Sequence, residues 1–272
     1  LCGIKNVCAA GGVFLNVKGN KLIREKAGIS SLFVYPDSGD AGLSVGAALE
    51  LYYEISKQYV KIDLKHTYFG TEYSNDQIET ELKRHDIKYS FFDDIEKETA
   101  KLISEGHVIG WFQGRMEMGP RALGDRSVIA DSRNNEIKER INAHLKKREW
   151  FVPFAPSVID EDAARFVKGL KEEAPFMLMA YDAEEETKPL IPAVVHVDGT
   201  LRPQIVKKEI NPRYWKLINE FKKITGIGVV VNTSFNRHRL PIVESPKDAV
   251  EHLLNGHIEK LVIGNYLVEL VN

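Results

Sequence analysis

Two passages from a helix into a strand, both near the end of the chain, constrain the fold most. The first is NPRYWKLINEFKKITG, residues 211–226. It places Asn211 as a predicted N-cap, Pro212 at the first helical position and Gly226 just past the helix end. The next residues, IGVVVNTSFN, are rich in the β-branched side chains that are typical of a buried strand. A capped helix followed at once by a buried strand is typical of proteins that mix helices with a sheet.

The same alternation occurs elsewhere in the chain. SPKDAVEHLLNG, residues 245–256, is a second capped helix, and KLVIGNYLVEL, residues 260–270, is predicted as one last strand that completes the sheet. NNEIKERINAHL, residues 134–145, has an apolar residue at every fourth position and predicts another helix. NVCAA and SLFVY predict two short strands in the first 35 residues. We therefore expect an α/β (α+β) fold with a twisted mixed sheet and flanking helices.

The composition excludes several classes of protein. A formal net charge of −2 over 272 residues argues against a protein that coats nucleic acid. No apolar run approaches the roughly 20 residues that span a bilayer, so we expect no membrane partner. Cys2 and Cys8 are too few for a disulfide scaffold and lack a zinc-site spacing, which favours a cytoplasmic location. The chain starts at Leu1 without a signal-peptide pattern, and we expect it to be an internal piece of a longer polypeptide.

A glycine-punctuated loop, GRMEMGPRALGDRS, carries three arginines: Arg115, Arg121 and Arg126. It is either a solvated surface loop or a phosphate cradle, because a guanidinium group is a fork of donors that matches phosphate oxygens. Residues 114–148 hold nine Lys or Arg against five Asp or Glu, which concentrates positive charge locally. The same residues contain no Phe, Trp or Tyr, whereas single-stranded nucleic acid is usually bound with stacked aromatic rings. We therefore expect no nucleic-acid partner.

Two spaced pairs complete the candidate site. Lys146 and Arg148 come before Pro153, and if their segment is extended they share a face; alternatively they are the basic end of a helix. Ser234 and Asn236 follow a buried strand and are either ligand-binding groups or ordinary turn formers. A cationic pair facing a neutral polar pair suits a triphosphate nucleotide better than a carbohydrate or a lipid.

Longer strings carry a resemblance to a known family. WFQGRMEMGPRALGDRS, INAHLKKREWFVPFAPSV, HVDGTLRPQ and VNTSFN resemble the C-terminal part of the nodulation-type O-carbamoyltransferases. Within that part, the Lys-x-Arg and Ser-x-Asn pairs look like those of YrdC-like domains. CAAGGVFLN and PDSGDAGLSVGAAL resemble the last segment of the family's actin-like ATPase domain. The resemblance implies an actin-like remnant over 1–60 and a YrdC-like, carbamoyl-adenylate-forming domain over 93–272. The polar, mixed residues 61–92 predict a connector between them.

The resemblance also implies an activity. Family members convert carbamoyl phosphate and ATP, with Mg²⁺ accompanying the nucleotide, into carbamoyl-adenylate and pass the carbamoyl group to a hydroxyl of a small-molecule acceptor. The second step takes place beside an iron in the full-length enzyme, which we expect to be absent here, and the missing N-terminal part of the polypeptide is an expected partner. Two alternatives stay open: a threonylcarbamoyl-adenylate synthase-like enzyme of tRNA modification, and a nucleotide-binding module without turnover.

Site residues follow from the resemblance by position. Catalytic roles fall to the two spaced pairs, and His196 is a lesser candidate that is equally well a polar residue at a strand end. In the first segment Asp40 matches a metal ligand whose partner ligands are absent from this chain. The remaining assignments are nucleotide contacts by Gly11, Gly12 and Asn16, and carbamoyl phosphate or ATP contacts by Arg115, Arg121, Arg126, Lys146, Arg148, Arg202, Ser234 and Asn236.

Two departures from the family pattern stand near the site. Val152 replaces an arginine that usually precedes Pro-Phe-Ala-Pro, which removes one cation. Arg239 and Leu240 replace a Gly-Glu pair, which puts the geometry of the turn after Ser-x-Asn in question.

Overall fold

The first part of the chain forms a small strand–helix unit. The structure is a computed structural model that describes residues 3–170 and 174–270, so Cys2 lies outside the described residues. Strands β1 (Asn6–Ala9) and β2 (Ser31–Val34) pair in parallel, and helix α1 (Val17–Lys26) connects them. Helix α2 (Leu43–Ser56) follows the second strand. The predicted strands NVCAA and SLFVY are both present, and Cys8 is an exposed free thiol.

An eight-stranded mixed sheet dominates the rest of the described chain. Its strand order is β3-β12-β11-β4-β5-β10-β6-β9, with parallel pairing at β11–β4 and β6–β9 and antiparallel pairing elsewhere. Two further strands, β7 and β8, form a separate antiparallel pair. The strands in chain order are β3 (Lys88–Phe91), β4 (Ile109–Phe112), β5 (Arg126–Asp131), β6 (Ala155–Ile159), β7 (Tyr181–Asp182), β8 (Thr200–Leu201), β9 (Gln204–Val206), β10 (Val229–Ser234), β11 (Lys260–Ile263) and β12 (Tyr266–Glu269).

Side chains on the central strands point alternately to the two faces of the sheet, which divides the core into two layers. On β5, Val128 and Ala130 belong to one apolar cluster and Ile129 to the other, because successive strand residues point to opposite faces. One layer is covered by α4 and α7, which pack against each other, and the other by α3, α5 and α8. The helices of this part are α3 (Asn75–Leu82), α4 (Ile95–Ser104), α5 (Ile137–Arg140), α6 (Ala163–Phe166), α7 (Pro212–Thr225) and α8 (Pro246–Leu254).

The predicted mixed sheet with flanking helices is therefore confirmed, with one correction. KLVIGNYLVEL is two antiparallel strands, β11 and β12, and not one. The chain reverses at Gly264, which has a left-handed φ of 55°, and at Asn265. The predicted connector 61–92 contributes α3 and β3 to the large-sheet layer. Among the described residues no helix combines the length and the apolar character that crossing a bilayer requires.

Candidate functional site

A π-helical turn delivers Lys146 to the interior. Helix α5 continues through this turn, Ile141–Lys146, and Lys147 then adopts a left-handed conformation with φ of 47°. The segment is thus not extended; Lys146 lies in the last turn of a helix, as the alternative interpretation had it. The left-handed residue between Lys146 and Arg148 turns the chain, and the two cations still lie near each other, since the charge of Arg148 lowers the pKa of Lys146. Wide helical turns of this kind are frequent at functional sites.

The Lys146 ammonium group is surrounded by neutral oxygens. Its side chain is buried, and Nζ contacts the Ser234 carbonyl oxygen, Ser234 Oγ at 3.0 Å, the Asn236 carbonyl oxygen at 3.0 Å and Asn236 Oδ1 at 2.8 Å. Ser234 Oγ also donates to Asn236 Oδ1 at 2.6 Å. The structure therefore brings Lys146 of the first predicted pair together with both members of the second. Burial, followed by the charge of Arg148, holds the pKa of Lys146 well below its usual value.

Arg148 is held in place by one buried carboxamide. Its Nε donates to Asn142 Oδ1 at 2.7 Å, and its guanidinium lies 5.0 Å from the centre of the Phe154 ring. Asn142 Nδ2 donates to the carbonyl oxygens of Trp150 and Val152, both at 3.1 Å. Burial lowers the pKa of Arg148 to about 10.

Two further arginines from distant loops adjoin this position. Burial and the charges of Arg121 and Arg148 lower the pKa of Arg202 to about 9. The Nε atoms of Arg121 and Arg202 are buried and have no hydrogen-bond partner among the residues that the structure describes. His196 lies beside Arg202, and burial together with that charge lowers the pKa of the imidazole. We call Arg121, Lys146, Arg148 and Arg202 the cationic cluster.

The cationic cluster is not neutralised within the described chain. Across residues 3–170 and 174–270, no carboxylate lies within ion-pair distance of any of its four members. Removing charges from water without pairing them is costly, and a bound anion would offset that cost. The arrangement therefore favours a polyanionic ligand over a neutral one.

Arg115 and Arg126 belong to the same loop as Arg121 but lie apart from the cationic cluster. Arg126 is fully buried, donates to the carbonyl oxygens of Asp125 at 3.0 Å and Thr71 at 3.1 Å, and lies over the Phe112 ring at 3.7 Å. Arg115 is exposed and donates to the Gly70 carbonyl oxygen at 3.2 Å. Their role as phosphate ligands stays a prediction, and the contacts of Arg126 favour a structural role.

Glu117 organises the arginine loop, and sequence reasoning missed it. One of its oxygens, Oε1, accepts from the backbone N–H groups of Leu123 at 2.6 Å, Asp125 at 2.8 Å and Arg126 at 3.3 Å. A buried carboxylate that gathers three amides fixes the path of the loop and so the position of Arg121. The available signal was an acidic residue between two methionines in a basic, Gly-rich loop.

The predicted residues of the first segment lie at the carboxyl ends of two parallel strands. Gly11, with φ of 115°, donates its N–H to the Ser38 carbonyl oxygen at 2.7 Å, which joins the loops after β1 and β2. A Cβ added at Gly11 or Gly12 would meet no atom within 4 Å, so this turn faces open space. Asn16 caps α1 by accepting from the Gly19 N–H at 3.0 Å. Ligands commonly bind at such strand ends.

Asp40 does not by itself form a metal centre. It is exposed and begins a short 3₁₀ helix. The part of the chain that the structure describes contains no group of three or more His, Cys, Asp or Glu side chains placed to hold an ion. One carboxylate holds a transition metal poorly, so the residues present do not fit an iron site, and no step is assigned to such a metal.

Comparison with known proteins identifies the family. The carbamoyltransferase C-terminus model matches residues 100–270, and the carbamoyltransferase N-terminus model matches residues 1–49. Nodulation protein NolNO of Sinorhizobium fredii is 42% identical over 99% of this chain and 40% of that protein. Nodulation protein NolO of Bradyrhizobium diazoefficiens is 42% identical over 98% of this chain and 50% of that protein.

Among solved structures, full-length HypF in its phosphate- and nucleotide-bound form has a TM-score of 0.46 and 18% identity, covering 69% of this chain and 23% of that one. The chain spans about half, or less, of the length of these curated relatives. The carbamoyltransferase C-terminus model alone matches more than half of the residues of this chain. The chain belongs to the carbamoyltransferase family.

Proposed function

We propose that the protein carries the adenylate-forming half of an O-carbamoyltransferase. It uses carbamoyl phosphate and ATP to make a carbamoyl-adenylate, whose carbamoyl group is transferred to a hydroxyl of a small-molecule acceptor. The observation that carries the proposal is the cationic cluster beside Ser234 and Asn236, which has positive charge and no carboxylate to pair with it. Family membership supports the reaction class.

The chemistry requires little from the protein beyond charge and position. Carbamoyl phosphate and water give carbamate and phosphate, and a carbamate oxygen then attacks the α-phosphorus of ATP. The new O–P bond forms as the bond to the bridging oxygen breaks, and pyrophosphate leaves with the electron pair. Reactions of this kind are accelerated mainly by alignment and by stabilising charge on phosphate oxygens.

The residues of the site divide this work. Arg121, Arg148 and Arg202 supply guanidinium donors for phosphate oxygens, and Mg²⁺ accompanies the nucleotide. Ser234 and Asn236 hold the Lys146 ammonium through oxygens that do not cancel its charge. Lys146 therefore stays available to an anion while its position is fixed before the ligand arrives.

Calorimetry with ATP and Mg²⁺ tests the site. We expect Lys146→Ala and Ser234→Ala each to weaken binding at least tenfold, equivalent to about 1.4 kcal/mol. Lys83→Ala is the matched control, because Lys83 is an exposed lysine that pairs with Glu79 and lies outside the cationic cluster. Unchanged affinity in both site variants would remove the assignment.

Turnover is tested separately by isotope exchange between pyrophosphate and ATP. We expect exchange that depends on carbamoyl phosphate. Labelled pyrophosphate enters ATP only when the adenylate forms and reacts back, and the adenylate cannot form without the carbamoyl donor. Nucleotide binding without exchange would instead favour the module that binds but does not turn over.

A further inference from the structure

A second concentration of positive charge lies next to Lys146. A cavity of about 300 Å³, which we call the outer cavity, is open to solvent there. Five cationic side chains and one carboxylate line it, and Lys147, Arg237 and Arg239 have no ion pair within the described chain. The lining residues are Lys146, Lys147, Arg148, Glu149, Arg237, His238 and Arg239.

Backbone strain is concentrated at the same cavity. Of the four non-glycine residues in the described ranges with a left-handed φ, two line it: Lys147 at 47° and Arg239 at 69°. Long side chains rarely adopt this conformation, and residues that keep it cluster at functional sites. Arg239 therefore keeps a guanidinium group at a position that glycine would occupy without strain.

The loop that carries the two arginines is tied to the residues that hold Lys146. The His238 N–H donates to the Lys146 carbonyl oxygen at 3.2 Å, and Asn236 Nδ2 donates to the Leu240 carbonyl oxygen at 2.5 Å. Arg237 and Lys146 also act together on the His252 imidazole, whose pKa burial and neighbouring charges lower to about 4. The outer cavity and the cationic cluster thus share Lys146 and Arg148 as a common wall.

We propose that the outer cavity is a second anion subsite, which receives pyrophosphate as it leaves ATP. The proposal rests on the proposed function, because that reaction releases a diphosphate on the far side of the α-phosphorus from the attacking carbamate. As the bond to the bridging oxygen breaks, negative charge grows on the diphosphate, and Arg237 and Arg239 are placed to stabilise it. A diphosphate carries enough charge to match the cations of the outer cavity, whereas a single phosphate leaves several of them unpaired.

Calorimetry with inorganic pyrophosphate on the full chain tests the proposal. Arg239→Gly removes the guanidinium group and also the left-handed strain, so we expect a higher melting temperature together with at least tenfold weaker pyrophosphate binding. Arg237→Ala should also weaken pyrophosphate binding. Lys57→Gly is the matched control, since Lys57 is a cation with φ of 58° that does not line the cavity. That variant should gain stability and keep its affinity.

The outcomes separate this proposal from the proposed function. Unchanged pyrophosphate affinity in Arg239→Gly and Arg237→Ala would overturn the subsite, while ATP binding that depends on Lys146 would leave the function standing. Weaker pyrophosphate binding in these variants, with ATP affinity independent of Lys146, would support the subsite and count against the function. Equal affinity of the unmodified chain for pyrophosphate and for inorganic phosphate would contradict a diphosphate site.

Discussion

Arg126 and Arg202 are both removed from much of the solvent, yet their surroundings are opposite. Arg126 gives its donors to the chain's own carbonyl oxygens, covers the Phe112 ring and lies near the charges of Glu117 and Asp125. Arg202 has two other arginines as its charged neighbours. In the described chain the Nε atom is buried without a partner in both residues, so the contrast lies in their charged neighbours and in the carbonyl oxygens that Arg126 binds. The difference teaches that burial of an arginine does not by itself indicate a ligand site; its neighbours decide whether its charge is offset within the fold.

The same contrast extends to the regions around them. At the base of the arginine loop the charge of Arg126 is offset within the fold by the buried carboxylate of Glu117. At the cationic cluster the charge of Glu149 acts on Arg148, but in the described chain it forms no ion pair with any of the four members, although the whole chain carries a net charge of only −2. The balance of the complete sequence therefore hides a local excess that only the folded chain assembles.

The largest expected effect is on stability, from replacing Arg126, the arginine of the comparison that is paired within the fold. Arg126→Leu should lower the free energy of unfolding by about 3 kcal/mol, because it leaves carbonyl oxygens and two buried carboxyl groups without their cation. Urea unfolding measures the change, and Arg126→Lys should recover part of it. A stable Arg126→Leu protein with weakened ATP binding would mean that Arg126 is a ligand after all.

Arg202→Ala is expected to weaken ATP binding without lowering stability. ATP binding should weaken at least tenfold, or about 1.4 kcal/mol, because a phosphate donor is lost. The melting temperature should stay the same or rise, since the repulsion with Arg121 and Arg148 is relieved. Calorimetry and thermal unfolding of one protein sample give both values. Arg165→Ala, which removes an arginine that contacts the Gly226 carbonyl oxygen, controls for the loss of a positive side chain.

A smaller effect is expected at Asp125. Burial and the charge of Glu117 raise its pKa in the fold, so the native carboxyl group keeps its proton at a pH where the unfolded one has lost it. Stability should therefore fall as the pH rises from the unfolded pKa through the folded one. Asp125→Asn should lack this fall and be more stable by about 1 kcal/mol at neutral pH, as measured by urea unfolding between pH 4 and 9. Parallel pH profiles for the two proteins would refute this interpretation.

The smallest effect is a proton taken up with ATP. The pKa of Lys146 is well below its usual value in the free protein, and a bound polyanion favours the charged form. ATP binding should therefore be accompanied by uptake of up to one proton, and affinity should decline as the pH rises through the free-protein pKa. Calorimetry in two buffers of different ionisation enthalpy measures the uptake. Lys146→Met should show none, and an equal uptake in that variant would assign the proton elsewhere.

Local rules predicted most of the elements. Asn211 and Ser245 cap α7 and α8 as expected, accepting from Tyr214 N–H and Asp248 N–H, because a cap depends on residues only a few positions apart. The hairpin β11–β12 was missed because apolar residues continue on both sides of Gly264, and nothing in the strand pattern marks the reversal. The available signal was the dipeptide Gly264-Asn265 between two apolar runs, which is typical of a hairpin turn; the prediction of a single strand did not take it into account.

The candidate site was predictable where short motifs carry it and not elsewhere. Ser234 and Asn236, two polar residues after a buried strand, were candidates from the sequence, and the structure places both around Lys146. Glu117 and Asn142 bind mainly backbone groups, which leave no pattern of side chains in a sequence. The burial of Arg126 depends on Thr71, a residue 55 positions away, so the chain order could not separate it from Arg121.

The Asn142 carboxamide has a mechanical consequence. Its oxygen accepts from the guanidinium group of Arg148, and its nitrogen donates to the carbonyl oxygens of Trp150 and Val152. A movement of the Arg148 side chain therefore either breaks its hydrogen bond to Asn142 or displaces Asn142, and with it the backbone at Trp150 and Val152. Since Trp150 is 75% exposed, an intrinsic fluorophore is connected through Asn142 to one side chain of the cationic cluster.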